Sequence, residues 1–164
     1  MREIQLTKGY VALVDDEDYE SVSTYKWHAA VRTRADGSVR VYAIGKIEKP
    51  SGDWVVQLLH RFIKNVPTGL QVDHINGNAL DNRHENLRIC TNTENSRNRH
   101  SQIRGASKFK GVVWDKQHSK WRAQIKVDLK CKYLGLFEIE SDAALAYNAA
   151  AFLLHGEFAS INVF

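Results

Sequence analysis

Val72-Asp73-His74-Ile75-Asn76-Gly77-Asn78-Ala79-Leu80-Asp81-Asn82-Arg83-His84-Glu85-Asn86-Leu87-Arg88 is the stretch on which the reading of this chain turns. Asn76-Gly77 is a turn signal, because both residues accept left-handed backbone, and it follows the strand-like Leu70-Gln71-Val72. The surrounding segment, about 60–107, carries His60, Asp73, His74, Asn76, Asn78, Asn82, His84, Asn86, Asn92, Asn95, Asn98 and His100. So many amides and imidazoles cannot build a large core, since each buried polar group needs a partner. They mark a site, or tight turns around one. Thr91-Asn92-Thr93-Glu94 has the form of a capping box, with Thr91 as N-cap and Glu94 reaching back. The helix it opens carries Asn95 in its second turn. Ser101 to Ser107 reads as a linker.

Upstream, residues 1–59 read as β-rich. Ile4 and Leu6, Val11 and Leu13, and Val39, Val41 and Ala43 alternate with polar residues. Asp36-Gly37 predicts a hairpin turn, and Pro50-Ser51-Gly52-Asp53 a second turn leading into a strand at Trp54–Leu58. The acidic run Asp15-Asp16-Glu17-Asp18 fits a solvated turn before a short helix better than a metal site. Trp27 and Trp54 are expected as core or packing residues, and nothing in this segment looks catalytic by itself.

Downstream, residues 108–164 are strongly periodic. Phe109–Trp114 is strand-like, Lys120–Val127 alternates aromatic or apolar with basic or polar residues, and Lys132–Phe137 makes a third strand. Ser141 is the expected N-cap of a helix over 142–154, with Gly156 at its C-cap. Three antiparallel strands and an alanine-rich helix predict a compact unit that folds on little core.

The 164 residues suit one ordinary domain or two small ones. No apolar run is long enough for a membrane span or a secretory leader, so a cytoplasmic protein is expected. Cys90 and Cys131 stand alone, which excludes a disulfide scaffold and a cysteine-built zinc finger. Charge is unevenly spread. Residues 96–132 hold 11 Lys/Arg against Asp115 and Asp128, a balance of +9. Residues 1–70 balance at +1 and residues 133–164 at −4. A basic segment with interleaved aromatics points to a polyanion-binding face.

Asp73-His74-Ile75-Asn76-Gly77-Asn78, Asp81-Asn82-Arg83, Glu85-Asn86-Leu87-Arg88 and Glu94-Asn95 together resemble HNH endonucleases of the phage and intron homing type. Leu59-His60-Arg61 also looks like the segment that precedes the motif in such proteins. The three named positions of the motif fall on His74, Asn86 twelve residues on, and Asn95 nine further. Asn95 stands where one subfamily has a terminal His, and the cysteines that some relatives use for structural zinc are absent. The third segment resembles the ethylene-response-factor type of DNA-binding domain. The matching pieces are Lys110-Gly111-Val112, Lys120-Trp121-Arg122-Ala123, Tyr133-Leu134-Gly135-Leu136-Phe137 and the stretch Ala143–Ala151.

These resemblances imply an α+β chain in four pieces: a β-rich segment 1–59, a ββα-metal nuclease core 60–100, a linker 101–107 and a DNA-binding domain 108–164. They imply His74 and Asn86 as catalytic residues, with His74 as general base. Asp73 and Asn95 are then hard oxygen ligands for Mg²⁺ or Mn²⁺, with no structural zinc. Because neighbours in a strand point to opposite faces, an irregular loop at Asp73-His74 is expected, so that both reach one site. Asn86 is expected to tie that loop together more than to touch metal. In the resembled domain the sheet enters the DNA major groove. That implies Lys110, Trp121, Arg122, Gln124, Lys126 and Tyr133 as contacts to double-stranded DNA, although Trp121 could instead anchor the core. A lysine-rich sheet favours phosphate over base contacts. The competing function is a non-catalytic DNA-binding regulator on a decayed nuclease scaffold. A toxin nuclease is a third option, weakened by the dedicated binding module.

Overall fold

A computed structural model describes residues 1–33, 37–97, 106–128 and 130–164. The α+β chain divides into two compact units, Met1–Asn95 and Ser96–Phe164.

In the first unit β1 (Arg2–Gln5) and β2 (Val11–Val14) pair antiparallel. Their alternation sends Ile4, Ala12 and Val14 into the core. Helix α1 (Asp16–Ser23) follows, with Asp16, Glu17 and Asp18 in its first turn, where the helix dipole favours negative charge. A three-stranded antiparallel sheet comes next, in the order β3 (Trp27–Thr33), β4 (Val39–Glu48), β5 (Trp54–Leu58). Thr33 pairs with Val39 across the predicted hairpin turn, whose residues 34–36 lie outside the described residues. Trp27 is a core residue, and its indole Nε1 donates to the Val22 carbonyl at 2.9 Å. It lies so close to β4 that a Cβ on Gly45 would come within 2.8 Å of the ring. Trp54 is not a core residue, and its ring lies under Lys46 Nζ at 5.7 Å. It pairs with the exposed Glu48, so it shares the outward face of the sheet and stays 53% exposed.

Helix α2 (Leu59–Lys64) starts directly from β5, buries Leu59, and sets Phe62 edge-on against Tyr25 and Trp27. It leads to a hairpin of β6 (Gln71–His74) and β7 (Leu87–Cys90). The loop between these strands is strapped to β2. Leu13 N donates to Leu80 O, and Asn82 N donates to Leu13 O, both at 2.8 Å. The β-rich segment therefore braces the polar motif. Helix α3 (Asn92–Arg97) carries the expected capping box, with Glu94 N on Thr91 Oγ1 at 3.3 Å and Thr91 N on Glu94 Oε2 at 2.8 Å.

The second unit is an antiparallel sheet in the order β10 (Lys130–Phe137), β9 (Lys120–Val127), β8 (Val112–Asp115), covered on one face by helix α4 (Glu140–His155). Phe109, Val112, Ala123 and Ile125 meet Ala143, Ala144, Tyr147 and Ala151. Gly111 has φ +75°, and a Cβ there would lie 2.0 Å from the Tyr147 ring. The helix begins ahead of the expected cap. Ile139 takes the N-cap position without a side-chain bond, and Ser141 falls inside the first turn between Glu140 and Asp142, whose charges suit that end. Gly156, with φ +54°, ends the helix as expected. Of the predicted linker, residues 101–105 lie outside the described residues, whereas Ser107 is buried and accepts from Phe109 N at 3.0 Å. No helix among the described residues is long and apolar enough to cross a membrane.

Candidate active site

The β6–β7 ladder runs Gln71–Cys90, Val72–Ile89, Asp73–Arg88 and His74–Leu87. The irregular loop expected at Asp73-His74 is absent. Ile75 N donates to Asn86 O at 2.9 Å, which carries regular pairing past His74, and the chain bends at Asn76-Gly77 instead. Alternation therefore sends Asp73 and His74 to opposite faces of the hairpin.

On the Asp73 face the carboxylate accepts from Arg88 Nη2 at 2.8 Å, and both side chains are nearly buried. Gln71, two residues earlier on that face, accepts from Asn95 Nδ2 through its Oε1. Asp73, Arg88, Gln71 and Asn95 thus form one cluster. The oxygens that could ligate a metal there, a carboxylate and an amide carbonyl, are of the kind that suits a hard cation. Asn95 spends its NH₂ group on Gln71, which leaves its carbonyl oxygen as the atom that could ligate a cation. Nearby Cys90 is buried and reaches Gln71 O at 3.7 Å. Burial pushes its thiol up to about 11, so it keeps its proton.

On the other face His74 is 7% exposed and stands edge-to-face with His60, ring centroids 4.8 Å apart. Its Nε2 lies 3.4 Å from Asn82 Oδ1. Asn82 Nδ2 donates to Leu80 O at 3.0 Å, so the carbonyl end of that amide is the one turned to the imidazole. Burial pushes His74 below the usual histidine range; Asn82, Asp73 and Asp81 act against the shift, and Arg40 adds to it. Burial, with the His74 and Arg61 charges, brings His60 down to about 3. Two uncharged imidazoles can share this space. A neutral histidine is also the form that can accept a proton.

Asn86 is buried and spends both ends of its amide on the loop, with Asn76 N on Oδ1 at 2.9 Å and Nδ2 on Asp81 O at 2.8 Å. Asp81 is clamped by Arg83 through Nε and Nη2, each at 2.8 Å, and Arg83 holds its carboxyl below the usual range. Asn82, fully buried, and His60 were not predicted for the site. The packing of His60 against His74 depends on where α2 lies, which local sequence does not encode.

A second group of potential ligands comprises Asp15, Glu17, Asp18 and His84, with ligand atoms within 4.8 Å of one another. His84 N donates to Asp15 Oδ2 at 2.7 Å, and His84 Nε2 lies 3.0 Å from Asp18 Oδ2. Lys64 Nζ stands 2.9 Å from His84 Nδ1 and can only donate, so the ring proton sits on Nε2. The group is a polar tie between α1 and the loop. The solvated turn expected at Asp15–Asp18 is the N-terminus of α1.

In the second unit, pairing places Arg122 opposite Val113 and Leu136, Gln124 opposite Tyr133, and Lys126 opposite Cys131. These side chains share the face turned away from α4, and Tyr133 is 60% exposed. Arg122 Nη1 lies 3.7 Å from Asp115 Oδ2 on the same face. Trp121 is on the helix side, edge-on to Trp114 at 4.9 Å and packed against the alanine cluster. Lys110 Nζ donates to Arg97 O at 2.6 Å, and burial pushes its ammonium down to about 8. The open face therefore holds four of the six residues predicted to contact DNA, and not Trp121 or Lys110.

Residues 64–97, which span the motif hairpin and α3, match the family model described as HNH endonuclease. The chain is similar to a protein of Acanthamoeba polyphaga mimivirus named as an uncharacterized HNH endonuclease, 31% identical over 94% of this chain and 76% of that protein. It is 32% identical to Protein 3.8 of Escherichia phage T7, over 57% of this chain and 77% of the phage protein. A stretch of 55 residues is 44% identical to an AP2-like ethylene-responsive transcription factor of Arabidopsis thaliana, covering 32% of this chain and 10% of the plant protein.

Proposed function

Since this chain belongs to the HNH endonuclease family, we propose that it hydrolyses phosphodiester bonds of double-stranded DNA in a Mg²⁺- or Mn²⁺-dependent reaction, as a homing-type or nicking enzyme. The observation that carries the reading is the motif hairpin, which buries His74 against His60 on one face and gathers Asp73, Gln71 and Asn95 on the other. His74 takes the proton of the attacking water. Asn82 presents its carbonyl to Nε2, so the basic lone pair is on Nδ1. Asn86 keeps the loop, and so His74, in place through its two amide bonds. Asp73 and Asn95 would hold the cation. A cation held by those oxygens would supply charge neutralisation for phosphodiester cleavage, and 5′-phosphate and 3′-hydroxyl products are expected.

The second unit is proposed as an ethylene-response-factor-like DNA grip, acting through Arg122, Gln124, Lys126 and Tyr133. The plant relative and the +9 balance of residues 96–132 support it.

Supercoiled plasmid incubated with Mg²⁺, with Mn²⁺ and with EDTA tests the reading. Conversion to open circles or linear DNA with metal alone is expected, with Asp73→Ala raising the metal concentration needed and Asn95→Ala raising it less. EDTA-resistant cleavage would overturn the metal role. Binding without cleavage under every condition would favour the regulator.

A further inference from the structure

We infer that Arg40 is a further catalytic residue of the His74 site, donating to the scissile phosphate of the DNA, and that Tyr42 positions it. This rests on the nuclease reading above and adds a residue from outside the motif. Arg40 and Tyr42 are two apart in β4 and so share one face of the strand. The other face carries Val41 and Ala43 into the core. Arg40 Nη1 donates to the Tyr42 hydroxyl at 3.1 Å. The Tyr42 ring lies 6.0 Å from the His60 ring, and His60 lies 4.8 Å from His74. A path of side chains thus runs from the guanidinium to the base.

The chemistry requires such a group. Negative charge grows on the phosphate oxygens in the transition state, and a fixed cation there contributes most where water is excluded. A guanidinium matches two phosphate oxygens at once, which an ammonium cannot. The other arginines around the hairpin are committed. Arg88 is held by Asp73, Arg83 by Asp81 and Glu85, and Arg61 donates to the carbonyls of Leu70 and Val66. Among the described residues no carboxylate pairs with Arg40. Its direct partner across the ladder is Arg32. Like charges in that position repel, a cost that an incoming phosphate offsets.

The test uses the full-length protein, supercoiled plasmid and Mg²⁺ under single turnover with enzyme in excess, and measures DNA affinity separately by anisotropy in EDTA. Circular dichroism reports folding. Arg40→Ala is expected to slow cleavage at saturating enzyme about 100-fold while affinity stays within about threefold. Arg40→Lys should recover part of that loss, as a charge role requires and a packing role does not. Tyr42→Phe should slow cleavage several-fold at unchanged affinity. If Arg40→Ala does not fold, Arg40→Met, which keeps the aliphatic stem, is judged by the same criteria. Cleavage by the folded alanine or methionine variant at the parent rate overturns the inference, as does a loss that lysine leaves untouched or that saturating enzyme repairs. If the parent cleaves and only the Arg40 variants behave like it, the Arg40 assignment falls and the nuclease stands. If the parent cleaves with neither metal, both fall.

Discussion

The hairpin Gln71–Cys90 and the sheet Val112–Phe137 are both antiparallel ribbons followed by a helix, yet their interiors are opposite in kind. Around the first, Asp73, His74, Asp81, Asn82, Asn86 and His60 are all buried. Behind the second, the buried side chains are mostly apolar, with Phe109, Val112, Ala123, Ile125, Ala143, Ala144, Tyr147 and Ala151 against the polar Ser107, His155, Ser160 and Asn162. A polar interior is stable only as a network in which nearly every atom is spoken for, so it fixes side chains to a fraction of an ångström. An apolar interior needs only close packing, and leaves the far face of its sheet free to carry charge. The first arrangement suits chemistry at one phosphate. The second suits a grip on many.

The most damaging test of this contrast is His74→Ala. Single-turnover cleavage should fall about 1,000-fold while DNA affinity is nearly unchanged, because a base and not a phosphate contact is removed. A comparable loss of affinity would mean that the polar hairpin also does the gripping.

Gly111→Ala attacks the apolar unit. Its added Cβ would meet Tyr147 at 2.0 Å on a backbone of φ +75°. A loss of about 3 kcal/mol is expected, confined to one of two transitions in a urea titration followed by tryptophan fluorescence. A single transition shifting as a whole would show that the units do not unfold independently.

Arg122→Ala with Lys126→Ala probes the charged face. If each residue meets one phosphate, the plot of log affinity against log salt loses roughly two units of slope, and binding weakens alike on all sequences. An unchanged slope would move the grip elsewhere.

Acid separates the two interiors as well. His60 titrates near 3 when folded, against an ordinary value of 6.5. Its contribution to stability is therefore complete above about pH 6.5 and is lost as pH falls towards 3, at about 1.4 kcal/mol per pH unit. His155, in the second unit, is also lowered by burial, but its bond to Lys126 O at 3.1 Å acts against the shift. Equilibrium unfolding of the metal-free protein between pH 7 and pH 4 should show the first unit weakening more steeply. His60→Phe should flatten that slope.

Much of this molecule was legible from neighbours in sequence. The capping box at Thr91–Glu94, the turn at Asn76-Gly77, the alternation of Lys120–Val127 and the stop at Gly156 depend on side chains within a turn or a strand of one another, and each formed. Trp121 and Trp54 show where this ends. Period-two alternation says that Trp121 and Arg122 face opposite ways, but not which way meets the helix. It cannot say that an edge strand leaves Trp54 facing outward.

The amino-acid sequence by itself determined the kinds of element, the pairing of a polar motif with a basic sheet, and the residue types available for chemistry. Only tertiary structure decided how they meet. Asp73 is held by Arg88 directly across the ladder, and His84 is bonded to Asp15, 69 residues away. His74 is set against His60 from α2 and, through Tyr42, within reach of Arg40 from β4. The reason is that propensity and periodicity act over a few residues, whereas the partner of a buried polar group is chosen by whichever distant segment closes over it, because the energetic cost of leaving it unpaired falls on the whole fold.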